Sequence, residues 1–384
     1  MNRDFLSGHK VELLRSGEEY FNRLVALIEN ATSTIHLQVY IFDVDQTGNT
    51  ILQALLAAAL RGVKIFMVVD GFGSILFGGE NIKRLNAAGV QFRFFSPLPF
   101  PGVFQPGRRL HHKVLVVDDC KALVGGINIA DKYRGVFPEI AWLDYAVLVE
   151  GPVVGQIRDY CLKLYFRKFH VPAKFRLPES FPSVLSKGDL SARMCINDWF
   201  RGKNQISSSY KKQIRAATAE VFIMASYFLP TRHLLKIILQ ASRKGVRVTL
   251  VLGKFSDVVL MKPAMRYLYS VLLRNNVEVY EYESSVLHAK LCVVDREWVS
   301  IGSHNLNHLS EWMSLEMNVE VEDRVFAEEV LQKIKNDLAS TTRRIDREYG
   351  LEIADRRWHL WCSYKIVSWS MRLLYFLQGR DKRR

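Results

Sequence analysis

The chain has 384 residues, 49% hydrophobic and 24% charged, an ordinary balance for a globular protein with room for two sizeable cores. Its net charge of +14 is not ordinary and predicts an anionic partner: nucleic acid, an anionic bilayer, or both. The opening Met1-Asn2-Arg3-Asp4-Phe5 leads into no apolar signal core, and no run of 18 or more uninterrupted apolar residues reads as a membrane span. Cys120, Cys161, Cys195, Cys292 and Cys362 are scattered, odd in number and free of CxxC spacing. That argues against a disulfide scaffold or zinc site and for a reducing compartment, with Cys120 and Cys292 expected as buried thiols.

In chain order, Ala31-Thr32-Ser33-Thr34 leads into a strand over 35–42. The loop Asp43-Val44-Asp45-Gln46-Thr47-Gly48 resembles a calcium loop, but its twelfth position is Ala54 where a bidentate Glu is required, so it reads as a solvated turn. A helix around 51–60, the turn Arg61-Gly62-Val63 and a strand over 64–69 follow, then a second helix and a strand over 90–95. The pattern then recurs. Ala217-Thr218-Ala219-Glu220 leads into a strand over 221–228, a helix around 233–242, Lys244-Gly245-Val246 and a strand over 247–252. A second helix and a strand over 277–282 complete the copy. Strand-helix-strand order with Gly at the helix ends indicates an α/β fold with helices over a sheet. Pro178, Ser180, Pro182, Ser183, Ser186 and Gly188 cluster between the copies. The expected organisation is a first domain over 1–178, a linker over 179–192, a second domain over 193–345 and a C-terminal segment over 346–384.

Each copy ends in the same signature, H-x-K-x4-D-x6-G-[GS]-x-N. The first is His111, Lys113, Asp118, Gly125-Gly126 and Asn128; the second is His288, Lys290, Asp295, Gly302-Ser303 and Asn305. A lone H-x-K is common, whereas the long form matched twice is specific. Both begin on apolar strand-like runs, 114–117 and 291–294, so each His and Lys point the same way. The glycines permit close approach of backbone to a ligand.

Two imidazoles, two ammoniums and two amides suit a phosphate diester. Lys113, Lys290, Asn128 and Asn305 are expected to hold the non-bridging oxygens and the charge of the transition state. One histidine attacks phosphorus; the other protonates the leaving oxygen and then deprotonates the acceptor hydroxyl. Each needs an orienting acid on its second nitrogen. Asp144 and Glu316, in strand-like runs after the motifs, are expected to orient His111 and His288 respectively.

These residues resemble the phospholipase D superfamily, whose members carry the motif twice. The resemblance implies two duplicated domains, each a mixed sheet flanked by helices, meeting across a pseudo-twofold axis at one site. It implies that His111 is the nucleophile and His288 the general acid, that no metal or other cofactor is needed, and that Asp118 and Asp295 serve structure within the catalytic motif.

The surroundings narrow the substrate. Residues 356–384 combine Trp358, Trp361, Trp369, Leu373, Phe376 and Leu377 with Lys365 and Arg372 and a tail Arg380-Asp381-Lys382-Arg383-Arg384. This suits a helix in the headgroup region of an anionic membrane, with a helix docked on the protein's own core as the alternative. Phe92, Phe94, Phe95, Phe100 and Phe104, with Pro97, Pro99, Pro101 and Pro106 and then Arg108-Arg109, read either as an entrance for acyl chains or as a strand and rigid loop. Residues 163–176, with Tyr165, Phe166, Arg167, Lys168 and Phe169, read as nucleic-acid contacts or as an amphipathic helix. Lys10-Val11-Glu12-Leu13-Leu14, Gly17-Glu18-Glu19-Tyr20, Asp144-Tyr145-Ala146-Val147, Ser226-Tyr227-Phe228-Leu229-Pro230 and Ser303-His304-Asn305-Leu306-Asn307 are similar to bacterial cardiolipin synthases of the phospholipase D type, in the short subfamily without N-terminal transmembrane helices. That implies phosphatidyl transfer between phospholipids at the cytoplasmic face of a bacterial membrane, with a phospholipase D-type hydrolase as the alternative and a nucleic-acid phosphodiesterase behind it. Phospholipids and an anionic membrane surface are the expected partners, with no nucleic acid. The oligomeric state is open.

Overall fold

The computed structural model describes residues 4–97, 108–166, 186–346, 348 and 357–380. Pro99, Phe100, Pro101, Phe104, Pro106, residues 167–176 and 179–185, the tail 381–384 and the side chains of Arg372, Leu373, Phe376 and Leu377 lie outside the described residues.

The first half runs β1 (Leu6–Arg15), α1 (Glu18–Glu29), β2 (Thr34–Val39), α2 (Gln46–Leu60), β3 (Lys64–Asp70), α3 (Gly79–Ala87), β4 (Gln91–Phe95), β5 (Arg109–Leu110), β6 (Lys113–Val117), β7 (Lys121–Gly125), α4 (Asp131–Arg134), β8 (Tyr145–Glu150) and α5 (Val153–Phe166). Its sheet order is β4-β3-β2-β6-β7-β8-β1, with β2, β3 and β4 parallel and the other pairs antiparallel.

The second half runs β9 (Leu190–Asp198), β10 (Lys203–Asn204), α6 (Gln205–Ala216), β11 (Glu220–Ala225), α7 (Arg232–Arg243), β12 (Arg247–Phe255), α8 (Met261–Arg274), β13 (Glu278–Val286), β14 (Lys290–Val294), β15 (Trp298–Gly302), α9 (His308–Trp312), β16 (Ser314–Glu322), α10 (Arg324–Leu338) and β17 (Thr342–Arg344). Its order, β17-β13-β12-β11-β14-β15-β16-β9, repeats the first sheet with one strand added at the edge. The duplicated mixed sheet flanked by helices is therefore as the sequence predicts. Residues 190–192, expected in the linker, belong to β9, where Leu190 and Ala192 pair with β1.

The repeat extends to turns. Gly62 and Gly245 both adopt φ +93° between helix and strand, a left-handed conformation that favours glycine. The β6–β7 and β14–β15 hairpins turn through two left-handed residues each, Asp118-Asp119 and Asp295-Arg296. Asp118 accepts from the backbone N–H groups of Thr32, Ser33 and Thr34, and Asp295 from those of Thr218, Ala219 and Glu220. Each aspartate thus fastens its hairpin to the start of the neighbouring strand. Asp45 is no solvated turn residue: it caps α2 through Gly48 N and accepts from Asp131 N.

Among the described residues three large cores follow from these layers. One lies under α1 and α2 and one under α6, α7 and α8; the third is shared by both halves and holds Val114, Val124 and Tyr145 together with Ile301, Met317 and Val319. The cysteines are free; Cys292 is buried as expected, but Cys120 is only half-buried.

The C-terminal helix (Arg357–Arg380) docks on the protein's own core through one face. Leu360, Ser363 and Val367 are buried, and Tyr364 stacks on Tyr267 of α8 with ring centroids 4.9 Å apart. Trp358, Trp361, Ile366 and Trp369 remain exposed. Among the described residues no helix is long and apolar enough to cross a membrane.

Candidate active site

The two histidines sit on the approaches to β6 and β14, and short cross-pairings between the halves position them. β5 pairs in parallel with β16 of the other half, and His111 N and His112 N both donate to Leu315 O at 3.0 Å. In the reciprocal contact Leu143 bridges Leu287, and His288 N donates to Leu143 O at 2.8 Å. Each histidine is therefore pinned beside the residue that precedes the acid of the opposite half.

This overturns the expected pairing of histidines and acids. His111 Nδ1 lies 3.0 Å from Glu316 Oε2, and His288 Nδ1 lies 2.6 Å from Asp144 Oδ2. The acids were expected within their own halves because each follows its motif closely in sequence. The docking of the two sheets exchanges them. Gly126 contributes to this packing: a Cβ there would lie 2.4 Å from Asp144 Oδ2. Its counterpart Ser303 instead donates to Glu316 Oε2 at 2.5 Å.

Burial dominates the electrostatics. It lowers both histidines; Glu316 offsets part of the shift at His111, whereas Lys290, Lys113 and His111 add to burial at His288 and carry it further down. Lys113 is pushed down to about 7 by burial, with Glu316 opposing the shift. Lys290 is lowered by burial against the pull of Asp144. Asp144 is raised by burial to about 6, whereas Glu316 is held at about 2, because His111 and its hydrogen bond outweigh the burial cost. Lys113 donates to His111 O, and Lys290 Nζ lies 3.6 Å from Asp144 Oδ2 and donates to His288 O.

His111, His288, Asn128 and Asn305 line one cavity of about 800 Å³ with Arg109, Lys132 and Trp142. Asn128 has local partners: its amide donates to Tyr133 Oη at 2.8 Å and its carbonyl accepts from Ile41 N. Asn305 accepts from Ser226 Oγ at 2.7 Å. Asp118 and Asp295 are not brought to the cavity. They stand at the far ends of β6 and β14, five residues beyond each lysine, or roughly 16 Å along a strand.

Three tyrosines belong to the site that sequence reasoning missed. Tyr133 Oη lies 3.4 Å from His288 Nε2. Tyr40 packs against His111 at 5.0 Å between centroids, and Tyr227 stands edge-on to His288 at 6.3 Å. Tyr40 and Tyr227 follow the equivalent strands β2 and β11 but one register position apart: Tyr40 corresponds to Ser226 and Tyr227 to Ile41, so the repeat does not single them out. Nor does it single out Tyr133, because its counterpart in the second half is Ser310.

A family model described as "Cardiolipin synthase, PLD-like domain" matches residues 24–146 and 210–338. The chain belongs to this family. It is 32% identical over 357 residues to cardiolipin synthase B of Escherichia coli K12, covering 90% of this chain and 84% of that one. It is 28% identical to the major cardiolipin synthase of Bacillus subtilis, covering 90% of this chain and 72% of that one. A crystal structure of the phosphatidylserine synthase of Haemophilus influenzae has the same fold, with a TM-score of 0.73 at 16% identity over 95% of this chain and 96% of that one. The family's two motif segments are the two halves whose histidines meet here.

Proposed function

We propose that the protein is a cardiolipin synthase that moves a phosphatidyl group from one phospholipid to the hydroxyl of another. The observation that carries this reading is the crossed pair of His–acid couples around one cavity, in a chain of this family. Phosphatidylglycerol is the donor and acceptor we favour, and phosphatidylethanolamine is a second donor the site chemistry admits.

Roles for the histidines follow from their free nitrogens. With Nδ1 of His111 on Glu316, its Nε2 is the atom that attacks phosphorus. His288 Nε2 has a phenol beside it, so it is the one held for proton traffic. Two buried ammoniums and two carboxylates leave the cluster near neutral when both imidazoles are neutral. An arriving phosphodiester adds one negative charge and stabilises one imidazolium, which is the general acid required for the first step. Lys113 and Lys290 stabilise the charge on the non-bridging oxygens. Departure of glycerol leaves the phosphatidyl group on His111; His288 then takes the proton of the acceptor hydroxyl. Excluding water from the buried cavity lets a lipid alcohol compete.

The mouth of the cavity suits a lipid surface. Val258, Val259 and Leu260 after β12 and Ile366 on the C-terminal helix line it and are exposed, and the same helix exposes Trp358, Trp361 and Trp369. A cavity of this size holds headgroups and phosphates and leaves the acyl chains outside. We therefore place the protein peripherally on the cytoplasmic face of a bacterial membrane, with its net charge of +14 favouring anionic lipid. The test is purified protein on phosphatidylglycerol vesicles in EDTA, with products read by mass spectrometry. Cardiolipin plus glycerol supports the proposal; phosphatidic acid alone makes water the acceptor and the protein a hydrolase.

A further inference from the structure

The charged and imidazole side chains lining the cavity suit an anion, with one exception. Arg109, His111, Lys132 and His288 attract a phosphate; Asp257 repels it. Asp257 is the only carboxylate among the described lining residues. It lies between β12 and α8, and Tyr227 donates its hydroxyl hydrogen bond to Asp257 Oδ1. Tyr227 is the residue whose ring stands edge-on to His288. The carboxylate is close enough to His288 to oppose the loss of its proton. It therefore stands on the His288 side of the cavity, where the alcohol leaves and enters. A carboxylate there matches a neutral hydrogen-bond donor on the headgroup.

We propose that Asp257, held by Tyr227, binds a non-reacting hydroxyl of the headgroup alcohol and so selects a vicinal diol, such as a glycerol headgroup, over a monohydric alcohol. This rests on the phosphatidyl-transfer reading. In the transfer step the reacting hydroxyl gives its proton to His288 Nε2, its oxygen bonds to phosphorus, and the bond from phosphorus to His111 Nε2 breaks. Asp257 exchanges no proton; it holds the neighbouring hydroxyl and fixes which oxygen faces phosphorus.

The experiment is a competition within one reaction. Vesicles of a phosphatidyl nitrophenyl ester serve as donor, with glycerol, 1-propanol and ethanolamine present together as acceptors. Wild type, Asp257→Asn and Asp257→Ala are compared by mass spectrometry, and thermal melting checks that each variant is folded. The ratio of glycerol to propanol product should fall about tenfold in Asp257→Ala, the size of one charge-assisted hydrogen bond, and by less in Asp257→Asn. A general loss of activity cancels in that ratio. A ratio unchanged within twofold would overturn the proposal. So would a selective loss of the ethanolamine product, which would make the group an ammonium site. If wild type forms phosphatidic acid with every alcohol, the transfer reading itself fails and takes this inference with it.

Discussion

Beside His288 Nε2 stands the Tyr133 hydroxyl, which also accepts from Asn128; among the described residues no hydrogen bond to His111 Nε2 is formed. Two histidines with the same motif thus have different surroundings, and the crossed acids let their roles be separated. Glu316→Gln removes the partner of the proposed nucleophile, so it should slow formation of the covalent intermediate by about 10²–10⁴-fold. Asp144→Asn acts on His288, so with a nitrophenyl leaving group the intermediate should form at near the wild-type rate and break down slowly. Rapid-quench measurement of both steps decides this; the opposite assignment of the two defects would contradict the crossed pairing. A pH prediction follows from Lys113. Its ammonium, lowered to about 7 by burial, loses its proton as pH rises through that value in the free protein. kcat/KM should therefore decline above about pH 7. A bound anion favours the charged lysine, so kcat should hold to higher pH. Coincident alkaline limbs in the two profiles would contradict this role.

At the scale of elements, the motif hairpins carry their aspartates as fasteners. Asp118→Ala and Asp295→Ala should each cost about 2–3 kcal/mol by denaturant unfolding, the loss of a charged acceptor with several donors. The two costs should add, because the two fastenings share no partner. A loss of turnover with unchanged stability would instead make these residues catalytic. Much at this scale was legible in the sequence. Apolar runs at 64–69, 114–117, 247–252 and 291–294 became β3, β6, β12 and β14, since short apolar segments bounded by polar or Gly turns have few other solutions. The start of α2 at Gln46 was not seen, because its cap looked like a polar loop. The exchange of Asp144 and Glu316 was beyond reach for a different reason. Local pattern says which face a side chain takes, whereas the exchange depends on how two finished sheets dock. Tyr133 was hidden likewise: it reaches His288 only through that docking.

The whole molecule combines a shared core, a site built from both halves and an apolar rim at its mouth. The exposed Val258, Val259 and Ile366 at the cavity mouth and the exposed Trp361 and Trp369 of the C-terminal helix are the proposed docking surface for an anionic bilayer, which the net charge of +14 would favour. Flotation with phosphatidylglycerol vesicles should weaken as salt is raised from 0.05 to 0.5 M, as expected for charge attraction across about one Debye length. Val259→Asp combined with Trp361→Ala should weaken flotation about tenfold or more even at low salt. Flotation that ignores both changes would remove this surface as the docking face.

The most direct test of the central claim, one site with His111 as nucleophile, uses the His288→Ala protein and a phosphatidyl nitrophenyl ester. That leaving group needs little help from a general acid, so the covalent intermediate should form and persist. Peptide mass spectrometry should then map a phosphatidyl adduct to His111. An adduct on His288 in His111→Ala protein, with none in His288→Ala protein, would contradict the account.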